Sequence, residues 1–418
     1  SVQVGRVALR ATADPALAGT SGRPGSTVEK NKVDMKFFES QMRFGMFTGT
    51  YHKPGNHPTV SIRQDIEIIE QLDRLGFDEV WVGEHHSSGV SPCPSPELLL
   101  AGAAERTERI KLGTGVVSLP YHHPLMVADR IVQLSHQSKG RAILGVGPGA
   151  LLRDAQMIGL DPLQSRRIME EALDVIIRLL KGETVTFQNE RFDLNEARLQ
   201  ILPHADFDIA AVSVLSPAGP KLAGKYGTGM ISVAATDPQG IERLAGHWEI
   251  WKDEAAAAGH TASRDDWRMM GPMHIAETEE QARAEVKYAL KEIETPRYLV
   301  NPGPFPDFDN LDKVIDDWNE AGSAVIGTPE MAIAQINRVV EKSGGFGTFL
   351  FMGHNWANFP ATMRSWELIA EEVVPVFQGQ SQSLLSSYGD VLEAGKSIAE
   401  VNLKAQTQYT EQYEAEKK

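Results

Sequence analysis

Hydrophobic positions fall into two alternating patterns along the chain. Short continuous apolar runs, such as residues 42–47 and 80–82, are typical of buried strands. Between these runs, residues 62–75 place isoleucine or leucine at every third or fourth position, and Gly76 follows. That spacing puts the apolar side chains on one face of a helix, which a glycine commonly ends. The pattern therefore predicts a strand, a helix and a second strand.

The same alternation continues through most of the chain. Strand-like runs occupy residues 42–47, 80–82, 110–117, 142–147, 209–214, 230–233, 269–275 and 348–352. A helix-like stretch follows each run, and residues 185–194 interrupt the series as a predicted hairpin. Eight consecutive β-α units predict an α/β fold of the (β/α)8 TIM-barrel type, because an open sheet usually stops at about six strands.

Three further segments flank or interrupt the predicted barrel at residues 42–377. Residues 1–41 lack periodicity and are predicted to be an N-terminal arm or extension without a catalytic role. Residues 296–324 are aromatic, rich in proline and longer than an ordinary loop. This insertion follows strand seven and is a candidate lid. Residues 378–418 are predicted to be a C-terminal helical tail that docks on a subunit or on the back of the barrel.

Charge and cysteine content narrow the functional class. The net charge of -15 and the pI near 5.3 argue against nucleic acid and anionic membranes as partners, because both bind basic surfaces. No apolar run approaches about 18 residues, so no membrane span is expected. Cys93 is the one cysteine, which excludes an internal disulfide and favours a reducing cytoplasm. These features predict a cytoplasmic metabolic enzyme.

Titratable side chains follow the second predicted strand. In TIM barrels the active site lies at the carboxyl ends of the strands, and this strand is followed by Glu84, His85, His86 and Ser87. Successive side chains of an extended segment point in opposite directions, so Glu84 and His86 share one direction and His85 takes the other. We predict His85 as the catalytic residue, because imidazole is the commonest acid or base near neutral pH.

The other predicted strand ends are rich in glycine and hydroxyl side chains and poor in carboxylates. Metal-dependent hydrolases need several convergent His and Asp ligands, and barrel glycosidases need two carboxylates, of which only Glu84 is well placed. We therefore expect no metal site. The glycines of residues 145–149 favour close packing against a planar ring, although Pro148 removes one amide that a dinucleotide loop would use.

Residues 213–219 are a candidate phosphate site. Serine hydroxyls and the free N–H groups of a following helix can hold a phosphate dianion, which the helix dipole favours. Ser216 alternatively only caps that helix. The sequence leaves both interpretations open.

Several of these motifs together resemble the bacterial-luciferase-like flavin-dependent monooxygenases, from residue 42 to about residue 376. Within that family the chain is most similar to the limonene monooxygenase branch. The motifs that carry the resemblance are Arg43-Phe44-Gly45, Glu84-His85-His86, Leu112-Gly113-Thr114-Gly115-Val116, Leu119-Pro120, Leu144-Gly145-Val146-Gly147, Ser216-Pro217-Ala218-Gly219 and His354-Asn355-Trp356.

The resemblance implies a two-component monooxygenase. A separate flavin reductase would supply reduced FMN (FMNH2), which reacts with O2 to a flavin C4a-(hydro)peroxide and passes one oxygen atom to an organic substrate. His85 would be the acid or base near the flavin, and Gly115–Val116 a cis peptide bond against which the ring packs. Many relatives carry arginine or cysteine where this chain has Gly147-Pro148, so Arg153 is proposed to add cofactor affinity. Pairing through barrel helices makes a homo-oligomer the expected assembly.

The predicted site residues form two sets. The cofactor-binding set is Glu84, Thr114, Gly115, Val116, Gly147, Arg153, Ser213, Ser216, Pro217, Ala218 and Gly219. The substrate set is Phe47, Tyr51, Met273, Phe305, Phe308 and Trp356. An apolar lining favours a small hydrophobic substrate such as a terpene or an alicyclic ketone. The alternative is that these aromatic residues only pack the lid.

Two other functions stay open on the same predicted fold. One is a deazaflavin-dependent oxidoreductase that transfers hydride, and the other is a non-catalytic flavin-binding subunit. Epoxidation, hydroxylation and Baeyer-Villiger insertion are not distinguished by the sequence.

Overall fold

A computed structural model describes residues 41–299, 305–379 and 381–417. Nearly all of the predicted N-terminal extension, and residues 300–304 of the predicted insertion, lie outside the described residues.

Twelve strands are found in the described part of the chain. They are β1 Arg43–Thr48, β2 Glu79–Val82, β3 Lys111–Thr114, β4 Val117–Ser118, β5 Ala142–Gly147, β6 Val185–Gln188, β7 Asp193–Ala197, β8 Asp208–Ser213, β9 Gly229–Ser232, β10 Trp267–Ile275, β11 Val325–Gly327 and β12 Thr348–Gly353.

The large sheet closes into a parallel barrel. Around the barrel the strand order is β10, β12, β1, β2, β3 with β4, β5, β8 and β9, and β9 pairs again with β10. Each neighbouring pair is parallel. The predicted TIM barrel is therefore confirmed. The predicted hairpin is also present, as the antiparallel pair β6 and β7.

Helices surround the barrel in the order expected of repeated β-α units. They are α1 Pro58–Leu75, α2 Pro96–Ala104, α3 Pro124–Gln137, α4 Leu152–Met157, α5 Ser165–Leu180, α6 Ala218–Tyr226, α7 Pro238–Ile241, α8 Leu244–Ala257, α9 Glu279–Val286, α10 Leu290–Leu299, α11 Leu311–Ala321, α12 Pro329–Ser343, α13 Phe359–Leu368, α14 Val374–Gln378 and α15 Gln382–Glu416. Helix α1 ends where the sequence predicts, because Gly76 takes a left-handed conformation with φ of 89°.

The barrel interior is packed with side chains. The indole of Trp81 is fully buried, and a Cβ atom on Gly113 would lie only 2.6 Å from it. Glycine at this position therefore makes room for the indole. Beside it, Arg268 donates two hydrogen bonds to the carboxylate of Glu79, at 2.7 and 2.9 Å, and both side chains are nearly inaccessible to water.

Two sequence-based expectations need correction. Residues 110–117 were expected to be one continuous strand, but β3 and β4 are separated at Gly115–Val116, whose peptide bond is cis. Residues 296–324 were expected to be irregular, yet α11 occupies residues 311–321. The apolar face of that helix, which includes Val314, Ile315 and Trp318, is buried and stabilises it.

The predicted C-terminal helix is present as α15. Its apolar side chains are exposed, with Leu384 at 74% and Leu392 at 67%, so the described structure does not show them docked on the back of the barrel. Of the helices described, none combines the length and apolar character needed to cross a membrane.

Candidate active site

The candidate site is built at the carboxyl end of β2. Gly83 donates its N–H to the carbonyl of Thr48 at 2.8 Å, and His85 donates its N–H to the carbonyl of Cys93 at 3.2 Å. These backbone bonds hold the segment of residues 83–86 between the end of β1 and the loop that precedes α2. The position of His85 is thus set by main-chain contacts on both sides.

The imidazole of His85 has one nitrogen paired and one unpaired. Its Nε2 lies 3.3 Å from the hydroxyl of Tyr51, and the two rings stack with centroids 5.8 Å apart. Its Nδ1 is buried, and none of the described residues forms a hydrogen bond with it. Burial lowers the pKa of His85 and raises the pKa of Tyr51 to about 12. At neutral pH a neutral imidazole therefore lies beside a protonated phenol.

Glu84 faces away from His85, as the alternation along the strand predicts. Its buried carboxylate accepts hydrogen bonds from His86 Nε2 at 2.8 Å, His122 Nε2 at 2.7 Å and the N–H of Ser118 at 2.7 Å. Burial by itself would raise the pKa of Glu84, but the bonds from His122 and Ser118 outweigh it, and the pKa is below its ordinary value. Glu84 thus joins β2, β4 and the loop before α3.

Asp154 supports the same segment and was missed by the sequence analysis. This buried carboxylate on α4 accepts hydrogen bonds from the N–H of His86, at 3.2 Å, and from the hydroxyl of Ser87. Arg153, which we predicted to bind the cofactor, is exposed on the same short helix. The sequence signal that could have identified Asp154 is a carboxylate that closely follows a glycine-rich strand end.

The wall formed by β3, β4 and β5 contains four predicted cofactor residues. The Gly115–Val116 bond is cis, as the family resemblance implied. The hydroxyl of Thr114 donates to the carbonyl of Gly145 at 3.0 Å and accepts from its N–H at 2.9 Å, so it is used within the wall. A Cβ atom on Gly147 would lie 2.4 Å from a methyl of Val116. Glycine at position 147 therefore makes room for the side chain of Val116.

Ser213 and Ser216 lie at the junction of β8 and α6. The hydroxyl of Ser213 is 3.4 Å from Nδ1 of His247. Ser216 is half-buried, and its hydroxyl caps no helix amide in the described structure, where the residue before α6 is Pro217. A Cβ atom on Gly219 would lie 2.6 Å from Cβ of Ser213, so glycine lets α6 approach β8 closely. The first amides of α6, which include that of Ala218, have no partners within the helix.

Of the predicted substrate residues, Tyr51 stacks on His85, and Phe47 lies beside Gly115. A Cβ atom on Gly115 would lie 2.9 Å from the ring of Phe47, which places that ring against the wall. Met273 lines a small cavity together with Trp356, another predicted substrate residue, and with His354 and Trp366 of α13. The structure therefore brings Met273 and Trp356 together.

The other three predicted substrate residues belong to an aromatic series that leads away from Tyr51. His354 stacks on Tyr51 with centroids 5.7 Å apart and on Trp356 with centroids 4.5 Å apart. Trp356 lies 5.8 Å from Trp318 of α11, and Phe308 lies 6.3 Å from Trp318. Phe305 contacts Phe308 and is 52% exposed. Phe308 and Phe305 thus pack in the inserted segment.

A buried carboxylate that contacts His354 and Trp356 of this series was also missed by the sequence analysis. Glu294 of α10 is fully buried; its Oε1 accepts from Trp356 Nε1 at 2.8 Å and lies 3.0 Å from His354 Nδ1. Its Oε2 accepts from Arg297 Nε at 2.6 Å. Burial would raise the pKa of Glu294, but Arg297 and His354 outweigh it and lower the pKa to about 2.

The low pKa of Glu294 makes a prediction about acid stability. Its folded pKa of about 2 lies below the ordinary value of 4.5, so the stability it contributes is fully present above pH 4.5 and is lost as the pH falls toward 2. In urea unfolding between pH 7 and pH 3, Glu294→Gln should be less stable than the wild type at pH 7, by a difference that shrinks below pH 4.5. A pH-independent difference would contradict this assignment.

The arrangement fits a planar cofactor with a phosphate group. An unpaired buried nitrogen of His85, the glycine-lined wall and the N-terminal amides of α6 are complementary to a ring edge, a ring face and an anion, respectively. Among the described residues there is no group of three or more His, Cys, Asp or Glu side chains able to hold a metal ion.

Comparison with known proteins gives consistent results. The family model for luciferase-like monooxygenases matches residues 42–345. Limonene 1,2-monooxygenase of Rhodococcus erythropolis is 51% identical over 90% of this chain and 96% of that protein. The FMN complex of the oxygenating constituent of 3,6-diketocamphane monooxygenase from Pseudomonas putida, a type II Baeyer-Villiger monooxygenase, has a TM-score of 0.66 and 26% identity and covers 80% of this chain and 98% of that one. F420-dependent glucose-6-phosphate dehydrogenase of Amycolatopsis mediterranei is 25% identical over 71% of this chain and 91% of that protein.

Proposed function

Because the chain belongs to the luciferase-like monooxygenase family, we propose that it uses FMNH2 and O2 to insert one oxygen atom into a small hydrophobic substrate. Overall, substrate, O2 and FMNH2 give oxygenated substrate, water and FMN. A separate flavin reductase supplies the FMNH2. The observation that carries this proposal is the neutral imidazole of His85 at the end of β2, with one buried nitrogen to which no described residue forms a hydrogen bond.

Each part of the site has a task in the proposed reaction. The bound flavin supplies two electrons and activates O2. His85 holds or moves a proton at Nδ1, while Tyr51 pairs with its other nitrogen. The glycine wall beside Val116 packs against the ring, and Ser216 with the first amides of α6 holds the phosphate.

The substrate is proposed to be a terpene or an alicyclic ketone. Buried aromatic rings near His85, including Phe47 and Tyr51, favour an uncharged apolar molecule. The names of two similar proteins, a limonene and a diketocamphane monooxygenase, support these two chemical classes.

The test is an incubation with FMNH2, 18O2 and either limonene or a diketocamphane. We expect a product that is heavier by one 18O atom, and none when the protein is omitted. The nature of that product distinguishes epoxidation, hydroxylation and Baeyer-Villiger insertion. Absence of labelled product with every terpene and cyclic ketone tried would contradict the proposal.

A deazaflavin-dependent hydride transfer is the second candidate, and similarity to an F420-dependent dehydrogenase favours it. Reduction of F420 by an alcohol or sugar phosphate without O2 uptake would support this candidate. A non-catalytic flavin-binding subunit is the third, and it would gain support if the protein bound FMN but neither oxygenated a substrate nor reduced F420.

The phosphate site makes a separate prediction. Ser216→Ala should weaken FMN binding about tenfold, because a charge-assisted hydrogen bond to a phosphate oxygen is worth roughly 1.5 kcal/mol. Quenching of flavin fluorescence measures the affinity. Ser397→Ala on α15 is the matched control and should bind like the wild type. Equal affinity of both variants would show that Ser216 does not hold the phosphate.

We also propose a cytoplasmic homo-oligomer. The single cysteine, Cys93, is free and buried, which supports a reducing compartment. The exposed apolar side chains of α15, such as Leu385 and Leu392, support association between copies. Light scattering of the eluted full chain should give a mass above that of one chain, and Leu385→Glu with Leu392→Glu should lower it. A monomeric wild type would contradict this assembly.

A further inference from the structure

The ring of Tyr51 stacks on two imidazoles. His85 stacks on it with an interplanar angle of 26°, and His354 stacks on it with an interplanar angle of 15°. Its main-chain carbonyl accepts a hydrogen bond from Nδ2 of Asn355 at 2.9 Å. Because Tyr51 is the described partner of His85 Nε2, whatever orients the Tyr51 ring also orients the histidine.

The orientation of His354 in turn depends on Glu294. One oxygen of this fully buried carboxylate is 3.0 Å from His354 Nδ1 and 2.8 Å from Trp356 Nε1. The rings of His354 and Trp356 stack with an interplanar angle of only 13°. A single oxygen atom therefore contacts two stacked rings: it accepts a hydrogen bond from Trp356, and it lies at ion-pair distance from His354 Nδ1, where the hydrogen-bond geometry is not met.

Helix α10 is joined to both loops that carry these rings. The N–H of Ala289, next to the helix, donates to the carbonyl of Trp356 at 2.9 Å. Lys53, two residues after Tyr51, donates to the carbonyl of Tyr288 at 2.8 Å and pairs with Glu292 at 3.0 Å. The region of α10 is therefore attached to the site at two places, near the surface through Lys53 and in the interior through Glu294.

The charge on Glu294 and the protonated hydroxyl of Tyr51 favour one tautomer for each of the two histidines. His354 presents Nδ1 to an ionised carboxylate, so its proton belongs on that nitrogen. Tyr51 keeps its proton and can donate it to Nε2 of His85, which then carries its own proton on Nδ1. Nδ1 of His85 is the buried nitrogen without a described partner, and it becomes an N–H donor toward the proposed cofactor.

We propose that Glu294 is a positioning residue for His85, acting through His354 and Tyr51 to fix the imidazole orientation and to keep its proton on Nδ1. The consequence for rate rests on the proposed function, whereas the consequence for the tautomer does not. A misplacement of about 1 Å at a reacting centre can cost about 100-fold in rate, so loss of this support should be measurable.

The experiment compares Glu294→Gln with Glu292→Gln in the full chain. Glu292 lies on the same helix but forms a partly exposed ion pair with Lys53, so it is the matched control. Nitrogen-15 NMR of the histidine side chains, with the His85 signals identified by His85→Ala, reports the tautomer without any cofactor. The wild type and Glu292→Gln should carry the His85 proton on Nδ1, and Glu294→Gln should show a mixture of tautomers.

Steady-state kinetics provide the second measurement. Glu294→Gln should lower kcat about 10- to 100-fold with KM changed less than about threefold, because orientation and not substrate contact is lost. Glu294→Asp should restore part of the rate. If the tautomer shifts but no variant oxygenates any substrate, the proposed function fails and the positioning role stands.

A second variant tests the same proposal if Glu294→Gln does not fold. His354→Phe keeps a ring on Tyr51 but breaks its link to the carboxylate of Glu294, and it should also give mixed His85 tautomers. If Glu294→Gln or His354→Phe is folded and retains the wild-type tautomer, Glu294 only anchors α10 and the proposal is overturned.

Discussion

Replacing His85 by alanine is expected to lower the rate of substrate oxygenation by about 100- to 10,000-fold, the usual contribution of a positioned acid or base. At the site, buried ring nitrogens without a described hydrogen-bond partner belong to two histidines: Nδ1 of His85 and both nitrogens of His354. The side chain of His354 is only 1% exposed and lies between Tyr51 and Trp356, whereas His85 is half-buried at a strand end. His85 is therefore the histidine that a bound molecule can reach.

The neighbouring His86 provides the control. Its imidazole points the other way and donates to Glu84, so His86→Ala should reduce the rate by about tenfold or less through a looser β2 end. The rate of product formation with saturating FMNH2 and O2 measures both variants, and FMN affinity shows whether binding is intact. Full turnover by His85→Ala would refute the catalytic assignment of His85.

Breaking the ion pair inside the barrel is expected to produce the largest loss of stability. Burial would raise the pKa of Glu79, but Arg268 outweighs it and holds the pKa below its ordinary value, so both groups are charged at neutral pH. The same carboxylate accepts from Trp81 Nε1 at 3.0 Å. Arg268→Met leaves this carboxylate buried without its cation and should lower the free energy of unfolding by about 3–5 kcal/mol.

A surface ion pair and a double variant distinguish the cost of burying an unpaired charge from the cost of losing contacts in general. Lys111 and Asp208 are 2.8 Å apart but each about half exposed, at 49%, and Lys111→Met should cost less than about 1 kcal/mol. Glu79→Leu combined with Arg268→Met removes both buried charges and should be more stable than Arg268→Met alone. Urea unfolding at pH 7 measures each variant. Equal losses for Arg268→Met and Lys111→Met would contradict the proposed cost of the unpaired charge.

The elements that the sequence predicted well share a simple periodicity. All eight barrel strands were predicted, because each is a short apolar run bounded by a helix pattern. Helix α11 was not predicted, although Leu311, Val314, Ile315 and Trp318 recur at the spacing of one helix face. The packing of Trp318 against the aromatic series shows that this face is buried.

Site residues were predictable where the chemistry was local. The end of β2 was prominent in the sequence, and strand alternation correctly separated the direction of His85 from that of Glu84 and His86. Asp154 and Glu294 were missed because each acts on residues far away in the chain, 68 positions for His86 and 62 positions for Trp356. For Asp154 the local signal was only its place after a glycine-rich strand end, and for Glu294 the local pattern contains no information about its partners.

The sequence by itself determined the barrel and the strand ends at which chemistry is possible, because strand and helix periods depend only on neighbouring residues. The tertiary structure decided which of those groups already form hydrogen bonds within the protein and which do not. The hydroxyl of Thr114 bonds to Gly145 within the wall, whereas Nδ1 of His85 has no described hydrogen-bond partner. The tertiary structure also decided that Tyr51 lies beside His85 and that Glu294 lies beside His354. These contacts join different β-α units, and they exist only when the barrel closes and brings its strand ends together.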